Sequence, residues 1–441
     1  MTGGDATGAG ATGGGATGVG GVAAIAAELD ALLAEDDVER TAGYPGDRAG
    51  RQPVHTVYLP ADRFGADSPR EWGAQALAAL AEYAPDAAAF ARATGLAEEL
   101  AARVRPLVEA KLASEPVEDL RIDFEDGYGI RAEATEDAHA RAAARALAVI
   151  CGGPGAPPFC GLRCKSLEPA TRRRAIATLD VFLGALAGAG RPLPDGFVLT
   201  LPKVTSVAQV PAMAVACERL EAAHGLPAGR LMFEVQVETP QLIVGADGTA
   251  TVARCVHAAA GRLVGLHYGT YDYSAAVGIA AAQQSLAHPA ADHARAVMQA
   301  AAAGTGVRLS DGSSNVLPIG GPDAVTAAWR LHAGLVLRSL ERGFYQGWDL
   351  HPAQLVSRYA ATFAFYLQGM PAAAERLGGY AARAAAGLEE PATARALAGY
   401  LLRGLECGAF GEDEVRAASG LGRAELGRVR RGGAVPARPG T

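Results

Sequence analysis

Two acidic residues near the ends of successive apolar segments suggest a metal site. Glu238 closes a segment in which polar and apolar residues alternate, and Asp272 follows the next apolar segment. Alternate residues of a strand share one face, so Glu234, Gln236 and Glu238 are expected to point the same way. Carboxylates with room for water suit Mg²⁺ or Mn²⁺, and no His or Cys pair accompanies these two acids to favour zinc. We predict that Glu238 and Asp272 hold one divalent ion; the alternative is an edge strand with one wet face.

Charged side chains at the ends of three earlier segments are candidates for catalysis. They are Asp123 and Glu125 on one segment, Arg163 and Lys165 on the next, and Lys203 on a third. If these segments are strands of a barrel, positive charge at its open end, the mouth, can hold a carboxylate and a developing oxygen anion. For the two acids, an ordinary ion-pair network is the alternative.

Four residues are predicted to contact a substrate: Arg163, Gln236, His267 and His351. His267 either serves the metal site as a ligand or proton carrier, or is a hydrogen-bonded core histidine. His351 precedes a proline at the end of the last apolar segment, where it either closes the mouth or caps the next helix.

Composition and length exclude several classes of protein. A chain of 441 residues, half of them hydrophobic, can bury a large core. The net charge of −7 and the lack of a basic cluster with aromatic residues argue against nucleic acid as a partner. No apolar run is long enough to span a membrane and no export signal is evident, so we expect a soluble, cytoplasmic protein. The six cysteines have neither zinc-site nor disulfide-scaffold spacing.

Eight β-rich segments alternate with helical stretches, which is typical of a parallel sheet with crossover helices. Most are spaced by about one βα unit, and eight such units predict an α/β protein with a closed (β/α)₈ TIM barrel. An open doubly wound sheet is the rival, but no Gly-rich phosphate loop follows the first segment. The predicted strands are 55–62, 120–126, 159–166, 197–204, 231–238, 262–269, 307–319 and 343–350.

The remaining segments define the predicted domain organisation. Residues 1–20 form a Gly/Thr/Ala-rich tail and 431–441 a second flexible tail. A catalytic barrel spans 51–360 and contains a helical pair inserted after the first strand, at 61–118. A helical extension at 361–430 is expected to form a cap or an oligomer contact.

Seven short motifs in this order resemble the HpcH/HpaI aldolase and citrate lyase β-subunit family, in the pyruvate and phosphoenolpyruvate barrel superfamily. The set is more specific than any single motif. The motifs are YLPAD (58–62), IDFED (122–126), LRCK (162–165), LPKV (201–204), VET (237–239), GTYD (269–272) and LHPAQ (350–354).

The resemblance implies that Glu238 and Asp272 ligate Mg²⁺ and that Arg163 steadies an oxygen of a 2-oxo acid or enolate. It also implies carbon–carbon cleavage of a small carboxylic acid or its CoA thioester by a trimer or hexamer. Lys165 stands where the family has Asn, which implies an extra anionic group on the substrate. The resemblance does not identify the general base.

Three other functions stay open at this stage. A lysine at a strand end, Lys203 or Lys165, suits a Schiff-base aldolase. The superfamily also suggests a phosphoenolpyruvate-utilising transferase, although no P-loop is present. A non-catalytic binder of 2-oxo acids would keep the metal site for recognition.

Overall fold

A computed structural model describes residues 19–151, 153, 155–380, 383 and 390–435. The chain divides into two compact units, Met1–Pro45 and Gly46–Thr441. In the first unit, helix α1 (Val19–Gly43) exposes apolar side chains such as those of Val22 and Leu32. Residues 1–18 of the predicted first tail and 436–441 of the predicted second tail lie outside the described residues.

The second unit contains a closed barrel of eight parallel strands, which confirms the predicted fold class. Each strand pairs with the next along the chain, and the eighth pairs with the first. The strands are β1 (His55–Pro60), β2 (Asp119–Asp123), β3 (Phe159–Arg163), β4 (Phe197–Leu201), β5 (Met232–Val237), β6 (Leu263–Tyr268), β7 (Arg308–Ser313) and β8 (Gln346–Asp349).

Alternating side chains give the barrel an apolar outside and a polar inside. In β5, Phe233 and Val235 are fully buried on the face that packs against the helices. Glu234 points into the barrel, where Arg121 of β2 donates to its Oε1 over 3.1 Å. The interior therefore departs from the branched apolar filling usual in TIM barrels.

Helices surround the strands. None of them, within the described ranges, is both long and apolar enough to cross a membrane. They are α2 (Ser68–Tyr83), α3 (Ala87–Thr94), α4 (Glu98–Ser114), α5 (Glu133–Ile150), α6 (Arg172–Gly188), α7 (Gln209–His224), α8 (Pro240–Ile243), α9 (Thr251–Ala258), α10 (Thr270–Ala276), α11 (Pro289–Ala302), α12 (Pro322–Glu341), α13 (Gln354–Gly378), α14 (Pro391–Cys407), α15 (Glu412–Ser419) and α16 (Arg423–Arg430), with a 3₁₀ turn at Ala281–Gln283.

Three helices, α2 to α4, occupy the span 61–118 in which an inserted pair was predicted. A βα unit needs one crossover helix, so two of the three are additional. The side chain of Asp86 caps α3 by accepting from the backbone N–H of Ala89 over 2.7 Å, and Gly95 ends it in a left-handed conformation.

Helix α13 crosses the predicted boundary between the barrel and its C-terminal extension. It is one helix from Gln354 to Gly378, buried along most of its length, so the chain does not divide at residue 360. No strand follows Asp349 in the described part of the chain.

A buried ion cluster ties the closing strand of the barrel to two outer helices. Asp349 of β8 is fully buried and lies 2.9 Å from Arg358 Nη2, 3.1 Å from His55 Nδ1 and 3.3 Å from His332 Nε2. Burial alone would raise the pKa of Asp349, but Arg358 and the two histidines hold it well below its usual range.

We expect Asp349→Asn to lower the free energy of unfolding near neutral pH by about 3–5 kcal/mol, because it leaves Arg358 buried without its counter-ion. A carboxylate with a depressed pKa contributes stability above its unfolded pKa, so the difference from the wild type should shrink below about pH 4. Urea unfolding at several pH values measures this. Asp67→Asn, at an exposed ion pair, is the control; an equal effect in both variants would contradict the assigned role.

Candidate active site at the carboxyl end of the barrel

Glu238 lies just beyond β5 and is almost completely buried at the mouth of the barrel. Its Oε1 accepts from the backbone N–H of Lys203 over 2.7 Å, and its Oε2 accepts from Gln236 Nε2 over 2.7 Å. Gly269 of the neighbouring loop leaves room for it, since a Cβ there would overlap Glu238 Cβ and lie 2.9 Å from Oε2. The carboxylate is therefore held in one position by backbone, side chain and a glycine contact.

Both acidic and basic side chains surround Glu238. Burial raises the pKa of Glu238 to about 8, and the negative charges of Asp272 and Glu125 add to this effect. Lys203 and Arg163 act in the opposite direction without cancelling it. Burial also raises the pKa of Glu125, to about 7. Such a cluster of acids favours a bound cation.

Lys203 contacts the acidic residues at the mouth of the barrel. Its Nζ lies 2.9 Å from Asp126 Oδ2, 3.2 Å from Glu125 Oε1 and 3.3 Å from Asp272 Oδ2, while its backbone N–H binds Glu238. Its backbone has a φ of 50°, in the left-handed region that residues with a Cβ rarely adopt. The two predicted metal ligands thus both bond to this lysine, Glu238 at its backbone N–H and Asp272 at its Nζ.

The donor set at the mouth fits a divalent ion by its chemistry. Glu238 and Asp272 offer carboxylate oxygens, and Asp272 is half exposed, so water and substrate can reach it. No group of three or more His, Cys, Asp or Glu residues in the described part of the chain has the arrangement of a complete metal site. A bound Mg²⁺ would therefore depend on water or substrate for its remaining ligands, as is common for this ion.

Arg163 is buried beneath the mouth and fully engaged by protein groups. Its Nε and Nη2 each lie 2.7 Å from an oxygen of Asp123, and its Nη1 donates to Gln236 over 3.2 Å. Asp123 also accepts from the backbone N–H groups of Glu125 and Gly127. Asp123 therefore acts as a positioning residue, and Gln236 links Arg163 to Glu238.

Two aromatic residues that the sequence analysis did not assign pack against Arg163. Tyr58 and Trp348 have ring centroids 4.4 Å apart, and the guanidinium carbon lies 4.7 and 5.4 Å from their rings. Trp348 Nε1 is buried without a hydrogen-bond partner among the described residues. Both side chains occupy inward positions on β1 and β8, a signal that alternation along the strands could have given.

Lys165 does not join the substrate-facing charges, which corrects the sequence analysis. Its Nζ lies 2.7 Å from Glu136 Oε2 of α5 and donates to the carbonyl of Phe124 over 2.8 Å. The strand ends at Arg163, so alternation no longer fixes the direction of Lys165. Lys165 is therefore not available to bind the extra anionic group that the resemblance implied for the substrate.

The two histidines assigned to substrate binding have other partners. His267 lies deeper in the barrel, with Nε2 2.7 Å from Glu234 Oε2, so it is a hydrogen-bonded core histidine. His351 stays at the mouth, but its Nδ1 accepts from the backbone N–H of Ala353 over 3.2 Å at the start of α13. It therefore belongs to the turn that precedes that helix.

A sequence family described only as a domain of unknown function, DUF6986, matches residues 33–432. The chain belongs to the DUF6986 family. A comparison of this DUF6986 sequence with curated proteins finds no match.

Solved structures resemble the DUF6986 chain in fold. A citrate lyase from Burkholderia xenovorans LB400 is 19% identical and aligns over 86% of this chain and 99% of its own, with a TM-score of 0.54. A Haloferax volcanii malate synthase with magnesium and glyoxylate is 17% identical over 71% and 76% of the two chains, with a TM-score of 0.45. A Mycobacterium tuberculosis citrate lyase β subunit with oxaloacetate and magnesium is 19% identical over 70% and 96%, with a TM-score of 0.38. The first of these agrees with the resemblance that the motifs indicate, at the level of fold.

In this DUF6986 chain, Lys165→Met should lower the free energy of unfolding by about 3 kcal/mol, because Glu136 loses its nearest buried counter-ion. The double variant Lys165→Met/Glu136→Gln removes both charges and should recover at least half of that loss. Urea unfolding of the two variants measures the difference. If Lys165→Met proves as stable as the wild type, the ion pair has no structural role and Lys165 returns as a substrate-binding candidate.

Proposed function

We propose that this chain is a Mg²⁺-dependent carbon–carbon lyase of the aldolase type. Its substrate would be a small 2-oxo or hydroxy acid, or the CoA thioester of one, cleaved through an enolate. The observation that carries the proposal is that Glu238 and Asp272, from successive βα units, both bond to Lys203, the first at its backbone N–H and the second at its Nζ. The fold shared with a citrate lyase supports it.

Glu238 and Asp272 would hold the Mg²⁺ or Mn²⁺ ion. When bound, such an ion supplies positive charge that stabilises a developing oxygen anion. Gln236 orients Glu238 by donating to its Oε2, and it is itself held by Arg163. The ligand carboxylate is therefore positioned before any substrate arrives.

The basic side chains at the mouth would bind and orient an anionic substrate. The side chain of Lys203 is 32% exposed, so its ammonium group can contact the carboxylate of a substrate that enters from solution. Arg163 is buried and paired with Asp123, so it acts as a fixed charge beneath the substrate. Glu125, whose pKa burial raises to about 7, can take up or release a proton at its carboxylate near neutral pH.

A Schiff-base route fits these lysines less well, because it needs an uncharged amine. Burial alone would lower the pKa of Lys203, but Glu238, Glu125 and Asp126 outweigh burial and raise it. Lys165 is paired with Glu136. Metal-assisted chemistry is therefore the reaction class that we propose.

We expect Glu238→Gln and Asp272→Asn each to weaken Mg²⁺ binding by at least about tenfold and to abolish turnover, because each removes a charged ligand. Calorimetry with Mg²⁺ measures binding. Turnover is followed by the release of pyruvate, glyoxylate or acetyl-CoA from a panel of 2-oxo acids, hydroxy acids and acyl-CoA thioesters.

Glu99→Gln, an exposed acid on α4, is the matched control and should behave as the wild type. Full activity in both ligand variants would overturn the lyase mechanism. So would inactivation by borohydride in the presence of substrate together with resistance to EDTA. Mg²⁺ and acid binding without turnover of any compound would instead indicate a non-catalytic binder.

Gly269→Ala should also weaken Mg²⁺ binding by about tenfold, because the added Cβ displaces Glu238 without changing any charge. Gly265→Ala on the same side of β6 is the control, since its Cβ would lie 3.4 Å from Glu234 Cβ, an ordinary contact. Calorimetry compares the two variants. Equal Mg²⁺ affinity in both would show that Glu238 need not hold its position to bind the ion.

A further inference from the structure

A cavity opens at the amino-terminal end of the barrel, away from the mouth. Its volume is about 250 Å³. Asp119, Phe159 and Phe197, the first residues of β2, β3 and β4, line it, which places it at the strand starts. It is smaller than the roughly 300–1,000 Å³ of pockets for drug-sized ligands, so only a small molecule would fit.

Three arginines on the cavity wall have no carboxylate partner within the described residues. Arg48 donates to the carbonyl of Leu263 over 3.3 Å, Arg230 to that of Leu193 over 2.9 Å and Arg308 to that of Gly50 over 3.3 Å. Burial lowers the pKa values of Arg48 and Arg308. Neighbouring groups therefore do not fully offset the cost of burying their positive charges. Guanidinium groups held by neutral carbonyls keep donors available for a ligand.

The acids near the cavity compensate these arginines only in part. Glu406 and Asp119 raise the pKa of Arg308, but burial outweighs them and lowers it. Glu234 accepts hydrogen bonds from Arg121, Thr200 and His267, and Asp119 pairs with the same Arg121. Both are therefore already engaged inside the barrel. The third lining acid in the described part of the chain, Asp195, is exposed. The wall consequently carries an excess of positive charge.

His267 supplies an observation that is independent of charge. It lines the cavity and is 2% exposed, and its Nδ1 is buried with no hydrogen-bond partner among the described residues. Its Nε2 is committed to Glu234 at 2.7 Å. A neutral histidine that donates from Nε2 leaves Nδ1 as an acceptor, which a ligand hydroxyl would satisfy.

We propose that this cavity is a second ligand site, for a small oxyanion that carries a hydroxyl group. Its anionic oxygens would bind Arg48, Arg230 and Arg308, and its hydroxyl would donate to His267 Nδ1. Hydrogen phosphate and a hydroxycarboxylate such as citrate share this chemistry. The site is separate from the mouth and does not depend on the proposed lyase activity.

Calorimetry of the full chain with inorganic phosphate, citrate and sulfate, at constant ionic strength, tests the proposal. Phosphate or citrate should bind. The one with the higher affinity indicates whether the site takes a phosphate or a hydroxycarboxylate. Sulfate should bind at least about tenfold more weakly than phosphate, because it has a similar shape but no hydroxyl at neutral pH. Equal binding of sulfate and phosphate would overturn the role of Nδ1.

Arg48→Gln and Arg308→Gln should each weaken binding by about tenfold or more. Neither change strands a carboxylate, so both variants should fold, which circular dichroism checks. Arg254→Gln, at an exposed ion pair with Asp247, is the matched control. Glu238→Gln should leave phosphate binding intact; loss of binding in that variant, or unchanged binding in both arginine variants, would overturn the proposal.

Discussion

Charge buried inside the barrel is the constraint on which the rest of this structure depends. An ion left unpaired in such a place costs several kcal/mol, so each interior charge must meet a partner. Arg163 meets Asp123 through two parallel hydrogen bonds, and Arg121 meets Glu234 one layer deeper. Because the two partners of each of these pairs come from different strands, the pairs hold β2, β3 and β5 at fixed positions. Gln236 joins the upper pair to the mouth.

The two ends of the barrel carry opposite electrostatic character. At the carboxyl end, acidic side chains gather around the ammonium group of Lys203. At the amino end, guanidinium groups such as those of Arg48 and Arg308 rest on neutral carbonyls. The charges between the two ends are paired with one another. The acidic carboxyl end therefore suits a cation, and the basic amino end suits an anion.

The parts of the site that the sequence predicted are those that backbone geometry dictates. The alternation of β5 continues to the residue just beyond it and places Gln236 and Glu238 on one face, and the end of a barrel strand places Glu238 at the mouth. Alternation does not give depth, which depends on the stagger between strands. His267 also points inward, but it pairs in register with Gln236 and bonds to Glu234 below the mouth. Lys165 stands beyond the last residue of β3, where alternation no longer applies.

The left-handed backbone at Lys203 has a consequence for how this protein can evolve or be engineered. A residue with a Cβ in that region carries a conformational penalty of about 1–3 kcal/mol that glycine would avoid. Selection for thermal robustness alone therefore favours glycine at this turn. Lysine at this turn exchanges folding stability for a positive charge among acids.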